Sequence, residues 1–345
     1  MSQEIIEAAL RAYDLGALHA VAHHSGTAAK TWRVVTAAGT YLLRTRGSRT
    51  AAPELVAFDH ALRRHLLAAG IPTAAPIATR DGATCTRVGD LALELYAIVP
   101  GQPLTHAGLP EIRAAARALA AFHRAGRDFA LAQTLPPVAQ YRTLGIDTAS
   151  TRMESPALLT QIYDRLADSP GVEAFANGLA TAQRWLKRLH REFDDAAYAA
   201  LPQTLTHGDF TLANILFLEG RVNGIFDFDW ARWAARVRDL ADGLFFIAGE
   251  RRTPLRPADI RSLTEPVELH RPRLLAWLQS YQDDTPLEDR DLDAIPMALA
   301  ARWLSIRVEG MAKVPAAERL DFALGPVAEP LVWLEEHWDR LRAGL

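Results

Sequence analysis

Three oxygen-bearing side chains carry the chemistry suggested by this sequence. Asp209 follows His207-Gly208, Asn214 stands five positions later, and Asp227 closes the stretch that ends at Trp230. Between them lie two short apolar runs, Ile215 to Phe217 and Val222 to Phe226, on either side of the turn pair Glu219-Gly220. This pattern predicts a β-hairpin with polar groups at its open end. Antiparallel pairing brings Asn214 beside Asp227, with Asp209 on the adjoining loop. Two carboxylates and an amide around one small space suit phosphoryl transfer. One carboxylate orients the attacking hydroxyl and accepts its proton. The amide oxygen and the second carboxylate hold hard magnesium ions against phosphate oxygens.

The pattern H-G-D-x-x-x-x-N, followed by I-F-D-F-D, resembles the aminoglycoside phosphotransferase family. That kinase-like group also holds type II homoserine kinases, choline kinases and methylthioribose kinases. The resemblance implies Asp209 as catalytic base, Asn214 as a magnesium ligand and Asp227 as the main magnesium ligand. ATP or GTP is the implied phosphoryl donor and Mg2+ the implied cation. The stretch is similar, more distantly, to the H-R-D and D-F-G elements of protein kinases. Here Gly208 replaces the Arg and Asp229 replaces the final Gly, so Asp229 is a further candidate for metal or substrate.

The elements that must position these groups begin with an amphipathic helix over residues 3–15. Strands are expected at Leu18 to His24, Trp32 to Thr36 and Tyr41 to Arg46. The loop Ser25-Gly26-Thr27 between the first two has small residues that let backbone N–H groups approach phosphate oxygens. By resemblance, Arg44 contacts the α/β-phosphates and pairs with an acid on the next helix, Pro53 to Ala69. Asp59 falls there by spacing, and Glu54 is the alternative. Ala74 to Arg80, Cys85 to Val88 and Leu91 to Val99 read as further strands. Pro100-Gly101-Gln102-Pro103 then breaks the periodicity. The family places its inter-lobe hinge there, which implies that the backbone of Leu95 to Ile98 meets the adenine edge.

Downstream, Glu111 to Arg127 is strongly helical, and His123 on it reads as a core residue. Helices are expected at 156–168, 171–199, Leu240 to Ala248, Asp259 to Gln282, Asp291 to Lys313 and Leu320 to Leu345. Asp239 matches a family position that braces the catalytic loop.

The chain of 345 residues, 49% hydrophobic and 23% charged with a net charge of −3, fits a globular protein of two lobes. That balance gives no basis for a nucleic-acid or membrane binder. The single cysteine, Cys85, excludes an intramolecular disulfide. An acidic start without an apolar signal core leads us to expect a cytoplasmic protein. The expected fold is α+β and two-lobed, protein-kinase-like. Residues 1–100 form a small antiparallel-sheet lobe over the nucleotide, and residues 101–345 a larger, mostly helical lobe with the acceptor site. The expected activity is transfer of the γ-phosphoryl group to a hydroxyl of a small molecule.

A nucleotide-sugar transferase reading of D-F-D leaves H-G-D-x-x-x-x-N unexplained. A non-catalytic kinase-like binding protein would usually have lost one of the three residues. A protein Ser/Thr kinase of the same fold stays open. For the acceptor, an aminoglycoside-like or other hydroxylated amine or antibiotic is preferred, with carboxylates such as Glu309, Glu335, Glu336 and Asp229 to receive it. The alternative is a homoserine-type amino acid, suggested by Arg302 and Arg307 in A-A-R-W-L-S-I-R, which looks like a pattern of type II homoserine kinases.

Overall fold

The computed structural model describes residues 2–25, 30–47, 50–133, 142–143, 146–147, 152, 154–256 and 259–345. Helix α1 (Gln3–Leu10) leads into a five-stranded antiparallel sheet. Its strands are β1 (Leu18–Ser25), β2 (Thr31–Thr36), β3 (Gly39–Thr45), β4 (Thr86–Val88) and β5 (Leu91–Ala97), in the order β1-β2-β3-β5-β4. Ile6, Leu10 and Tyr13 pack on Trp32, Val34, Leu43, Leu93 and Leu95 as one apolar cluster.

Helix α2 (Pro53–Ala68) crosses between β3 and β4 in sequence. Its Phe58, Leu62 and Leu66 join the second, larger cluster instead. That packing ties the sheet region to the helices beyond it. The strand expected at Ala74 to Arg80 is reduced to one bridge, Pro76 to Tyr96, and a bond from the Ile77 N–H to the Leu95 carbonyl (2.7 Å). Proline cannot donate to a ladder, so Pro76 limits the pairing.

The larger part is built from α3 (Leu109–Gly126), α4 (Pro156–Ala167), α5 (Ala176–Glu192), α6 (Val237–Gly243), α7 (Arg271–Gln282), α8 (Asp289–Met311) and α9 (Ala328–Arg342). Trp185, Trp277 and Trp303 are buried within it. Three expected helices are interrupted. The 171–199 stretch restarts at Asp194, whose side chain caps residues 195–199 by accepting from the Ala197 N–H (2.8 Å). The stretch before α7 holds a two-residue strand, Val267–Glu268, just after Pro266. Gly325-Pro326 separates a short turn of helix from α9. Among the described residues, no helix is long and apolar enough to cross a membrane.

Two small ladders carry the chemistry-bearing segment. Strand β6 (Gln203–Thr206) pairs with β9 (Arg232–Ala235), and β7 (Ile215–Leu218) pairs with β8 (Arg221–Ile225), all antiparallel. The connection after β5 is stitched onto this hairpin. Gln102 and Phe217 exchange both backbone hydrogen bonds, at 2.8 and 2.9 Å. Gly101, at φ 137°, permits that approach, because a Cβ there would lie 3.0 Å from the Phe217 carbonyl oxygen.

Candidate active site

The hairpin forms as the sequence predicts and turns through Glu219-Gly220, both at positive φ. At its open end the Phe226 N–H donates to the Asn214 carbonyl (3.0 Å), which holds Asn214 and Asp227 side by side in the backbone. Asp227 itself sits at φ 63°, ψ 64°, a left-handed conformation uncommon outside glycine but tolerated by Asp. Such strain in a polar loop is characteristic of functional positions. The next residue, Phe228, anchors the segment by stacking on Phe122 of α3, with ring centroids 6.0 Å apart.

The loop bearing Asp209 is held from beneath. The Asp239 carboxylate accepts from the backbone N–H groups of His207 (2.6 Å) and Gly208 (2.9 Å), and His123 Nε2 lies 3.0 Å from it. Burial pushes the Asp239 carboxyl up, but the His123 hydrogen bond and the Arg238 charge outweigh it and hold it at about 2. His123 meets Tyr281 on its other nitrogen (2.8 Å), so it is a core residue here.

Gly208 has φ 80°, and a Cβ on it would lie 2.4 Å from the Trp230 carbonyl oxygen. Only glycine meets both demands, which accounts physically for Gly in the place of Arg. Gly208→Ala is expected to destabilise the fold by about 1–3 kcal/mol and to lower turnover with it. Urea midpoints report the first and initial rates the second. A variant with wild-type midpoint and rate would show that the loop relaxes freely.

Asp209 Oδ2 accepts from the Asn214 amide (2.9 Å), and the same NH2 group also donates to the Asp209 carbonyl (2.8 Å). Asn214 thereby spends its donors on Asp209, which leaves its Oδ1 for a cation. Together with Asp227 this is an oxygen-only donor set, suited to a hard divalent ion. A positive group already stands there: Arg44 Nη2 donates to Asp227 Oδ1 and Asp229 Oδ2, both at 2.9 Å. Burial and the neighbouring Asp227 charge push the Asp229 carboxyl up, and Arg44 and Arg46 oppose them. The residues therefore fit a magnesium ion.

Arg44 does not pair with Asp59. The two oxygens of Asp59 are taken by Arg46 and by Arg63 (2.8 Å), and Arg46 also donates to Glu94 (2.6 Å). Arg44 lies on β3 and Arg46 one residue past its end, and the i, i+2 spacing turns both to the same side. The later one reaches Asp59 on α2 and, more loosely, Asp229 (3.5 Å), and the earlier one reaches Asp227 and Asp229. Glu54 is exposed in the first turn of α2. Asp59, His60 and Glu94 have ligand atoms within 4.8 Å of one another, but Arg46 and Arg63 already neutralise this buried group.

Ser25 ends β1 opposite Thr31, while Gly26 and Thr27 lie outside the described residues. Leu95 is committed to the sheet: it is buried opposite Leu43, and its carbonyl accepts from Ile77. Ile98 lies past the strand end and is 41% exposed.

The two late arginines diverge. Arg302 is buried and points at the loop, with Nη2 3.8 Å from Asp209 Oδ1. It is not free to grip a ligand, because it donates to Asp242 (2.7 Å) and Glu309 (3.4 Å). Arg307 faces elsewhere: it donates to the carbonyls of Phe322 and Thr264 and lies 4.0 Å from the Trp303 ring centroid. Glu335 is spent on Arg184 and Glu336 is exposed on the same helix. Sequence reasoning missed Arg46, Glu94, Glu154, Asp242, Arg232 and Arg238. For the first, the i, i+2 spacing from Arg44 was the available signal.

A carboxylate, an amide and an acid pair around one braced loop define a small-molecule phosphotransferase that acts on hydroxyl groups. The match to the Phosphotransferase enzyme family runs over residues 19–277, and the chain belongs to that family. A homoserine kinase of Parvibaculum lavamentivorans is 30% identical over 285 residues, covering 79% of this chain and 81% of the relative. Among solved structures, a microcompartment-associated aminopropanol kinase superposes with a TM-score of 0.69 at 18% identity, over 99% of both chains. The amicoumacin kinase hAmiN, in complex with AMP-PNP, Ca2+ and its ligand, gives 0.62 at 14% identity, over 99% of this chain and 93% of that one. The fold is thus α+β and kinase-like, with the antiparallel sheet at the N-terminal end and helices predominant after it.

Proposed function

We propose that this protein transfers the γ-phosphoryl group of ATP to the hydroxyl of a small amino acid of the homoserine kind. The observation that carries the reaction is the braced grouping of Asp209, Asn214 and Asp227. Asp209 orients the acceptor hydroxyl and takes its proton as the oxygen bonds to the γ-phosphorus. The bond from that phosphorus to the β–γ bridging oxygen breaks, and ADP leaves. Asn214 Oδ1 and Asp227 would hold Mg2+, with Asp229 beside them. When bound, the ion supplies charge neutralisation on the phosphate oxygens. Arg44, released from the acid pair, turns its fork to the phosphates, and Arg46, held by Asp59 and Glu94, fixes the strand beneath it. Residues 1–100 act as the nucleotide-covering lobe and residues 101–345 as the catalytic and acceptor lobe. Most of the acceleration comes from positioning and fixed charge.

The named relative supports an amino-acid acceptor. A hydroxylated amine or antibiotic is the second reading, supported by Glu309 on the Asp209 side of Arg302. A nucleotide-consumption screen over homoserine, amino alcohols and aminoglycosides tests both. Turnover is expected with homoserine first, and turnover of aminoglycosides alone would overturn the acceptor.

Arg44→Ala is expected to raise the apparent KM for ATP by about tenfold, the loss of one charge-assisted contact. Arg44→Lys should be milder, since it keeps the charge and loses the fork. An unaltered KM in Arg44→Ala would remove Arg44 from the nucleotide site.

A further inference from the structure

Behind the catalytic loop, two buried arginines share three carboxylates among the described residues. Arg238 donates to Glu154 (2.9 Å) and Asp242 (3.2 Å), and Arg302 to Asp242 and Glu309. Arg232 stands among them differently. Its Nε donates only to the Trp230 carbonyl (3.0 Å), and its guanidinium lies 5.6 Å from the Trp230 ring centroid. Among the described residues, no carboxylate oxygen lies within 4.0 Å of that guanidinium. The side chain is half-buried, so its free end is neither sealed in the core nor loose in solvent.

Its position is set by the same elements that set Asp209. Arg232 opens β9 directly opposite Thr206, the last residue of β6, and the Thr206 hydroxyl donates to the Arg232 carbonyl (3.1 Å). Thr206 immediately precedes the His207-Gly208-Asp209 loop. The Trp230 carbonyl that anchors Arg232 is the group that closes on Gly208.

We infer that Arg232 is the specificity-determining residue of the acceptor site and receives an anionic group, a carboxylate, of the molecule being phosphorylated. The inference rests on the phosphotransfer reading above. An unpaired guanidinium in a partly dry site is a costly arrangement unless a ligand completes it. Its planar fork matches a carboxylate with two parallel hydrogen bonds. Burial and the nearby Arg238 charge push its pKa down to about 10, although Glu154 and Glu309 pull the other way. The assignment replaces Arg302, whose guanidinium is already engaged, as the reader of the acceptor's acid.

The test compares homoserine with 3-aminopropan-1-ol, the same amino alcohol without its carboxylate. Both are measured with wild type, Arg232→Gln and Arg232→Lys, by calorimetric binding and by ATP-dependent turnover. The wild type should prefer the acid. Arg232→Gln should cut the acid-over-amine ratio of kcat/KM by about tenfold to a hundredfold, through KM, the usual worth of a charge-assisted pair. Arg232→Lys should recover part of it. Because no carboxylate among the described residues pairs with the removed charge, Arg232→Gln should cost little in melting temperature, no more than the loss of its bond to the Trp230 carbonyl. An equal loss for both acceptors, no change in the ratio, or a wild type that binds the amine more tightly than the acid overturns the inference. If the acid binds in an Arg232-dependent way but neither compound is phosphorylated, the phosphotransfer reading fails and the anion site stands.

Discussion

Asp209→Asn is expected to lower turnover by about 10²–10⁴ while nucleotide still binds. The range is that of a positioned proton acceptor, and the geometry says why little else should change. The amide oxygen of the variant can still accept from the Asn214 NH2 group, as Asp209 Oδ2 does now at 2.9 Å. The loop keeps its brace, because Asp239 holds the backbone of His207 and Gly208, not the side chain of Asp209. The variant loses a basic oxygen and the 3.8 Å approach of Arg302 to a negative charge. A kcat split therefore reports the chemistry: kcat falls and the affinity for nucleotide, read by calorimetry, stays near the wild-type value. Undiminished kcat in a folded variant would take the base role away from Asp209. A parallel fall in nucleotide affinity would instead place Asp209 among the metal-holding groups.

The residues legible in the sequence are those whose relations are local. Asp209, Asn214 and Asp227 lie within one hairpin, so chain spacing and strand pairing alone set them around one space. Asp239 braces a loop of fixed pattern. Relations across long stretches of chain were not legible. Arg44 meets Asp227 and Asp229 from 183 and 185 positions away, and nothing in the sequence separates that from the pairing expected with Asp59. The decisive fact is the saturation of Asp59 by Arg46 and Arg63, which only the approach of α2 to β3 creates. Arg302 and Arg307 make the same point within one helix. The turn between them sends one to the Asp209 loop and the other to Phe322. Strand and helix boundaries failed near proline, at 76, 266 and 326, which removed a donor or interrupted a repeat, and at Asp194, which caps a new helix inside an unbroken polar–apolar pattern.

Asp227 is where those two kinds of information meet, and its replacement should have the other large effect. Alanine is a poor probe, because residue 227 sits at φ 63° and alanine would add backbone strain to the loss of charge. Asparagine tolerates that conformation and differs from Asp mainly in charge. Asp227→Asn is expected to abolish most of the magnesium enhancement of ATP binding and to lower kcat by at least about 10³, since a Lewis acid on a phosphoryl group is worth several kcal/mol. The sign follows from the acid pair. Arg44 now shares Asp227 and Asp229 equally, at 2.9 Å each. With residue 227 neutral, Arg44 is held by Asp229 alone, and a divalent ion has one anionic ligand where it had two. Calorimetry with ATP, with and without Mg2+, reads the difference directly, and Asp229→Asn is the control. Asp227 is the more open of the two, 45% exposed in its side chain against 12% for Asp229, so the cation should depend on it more heavily. If Asp229→Asn removes the magnesium effect and Asp227→Asn leaves it, the principal ligand is Asp229, and the left-handed turn at Asp227 then serves to aim its neighbour.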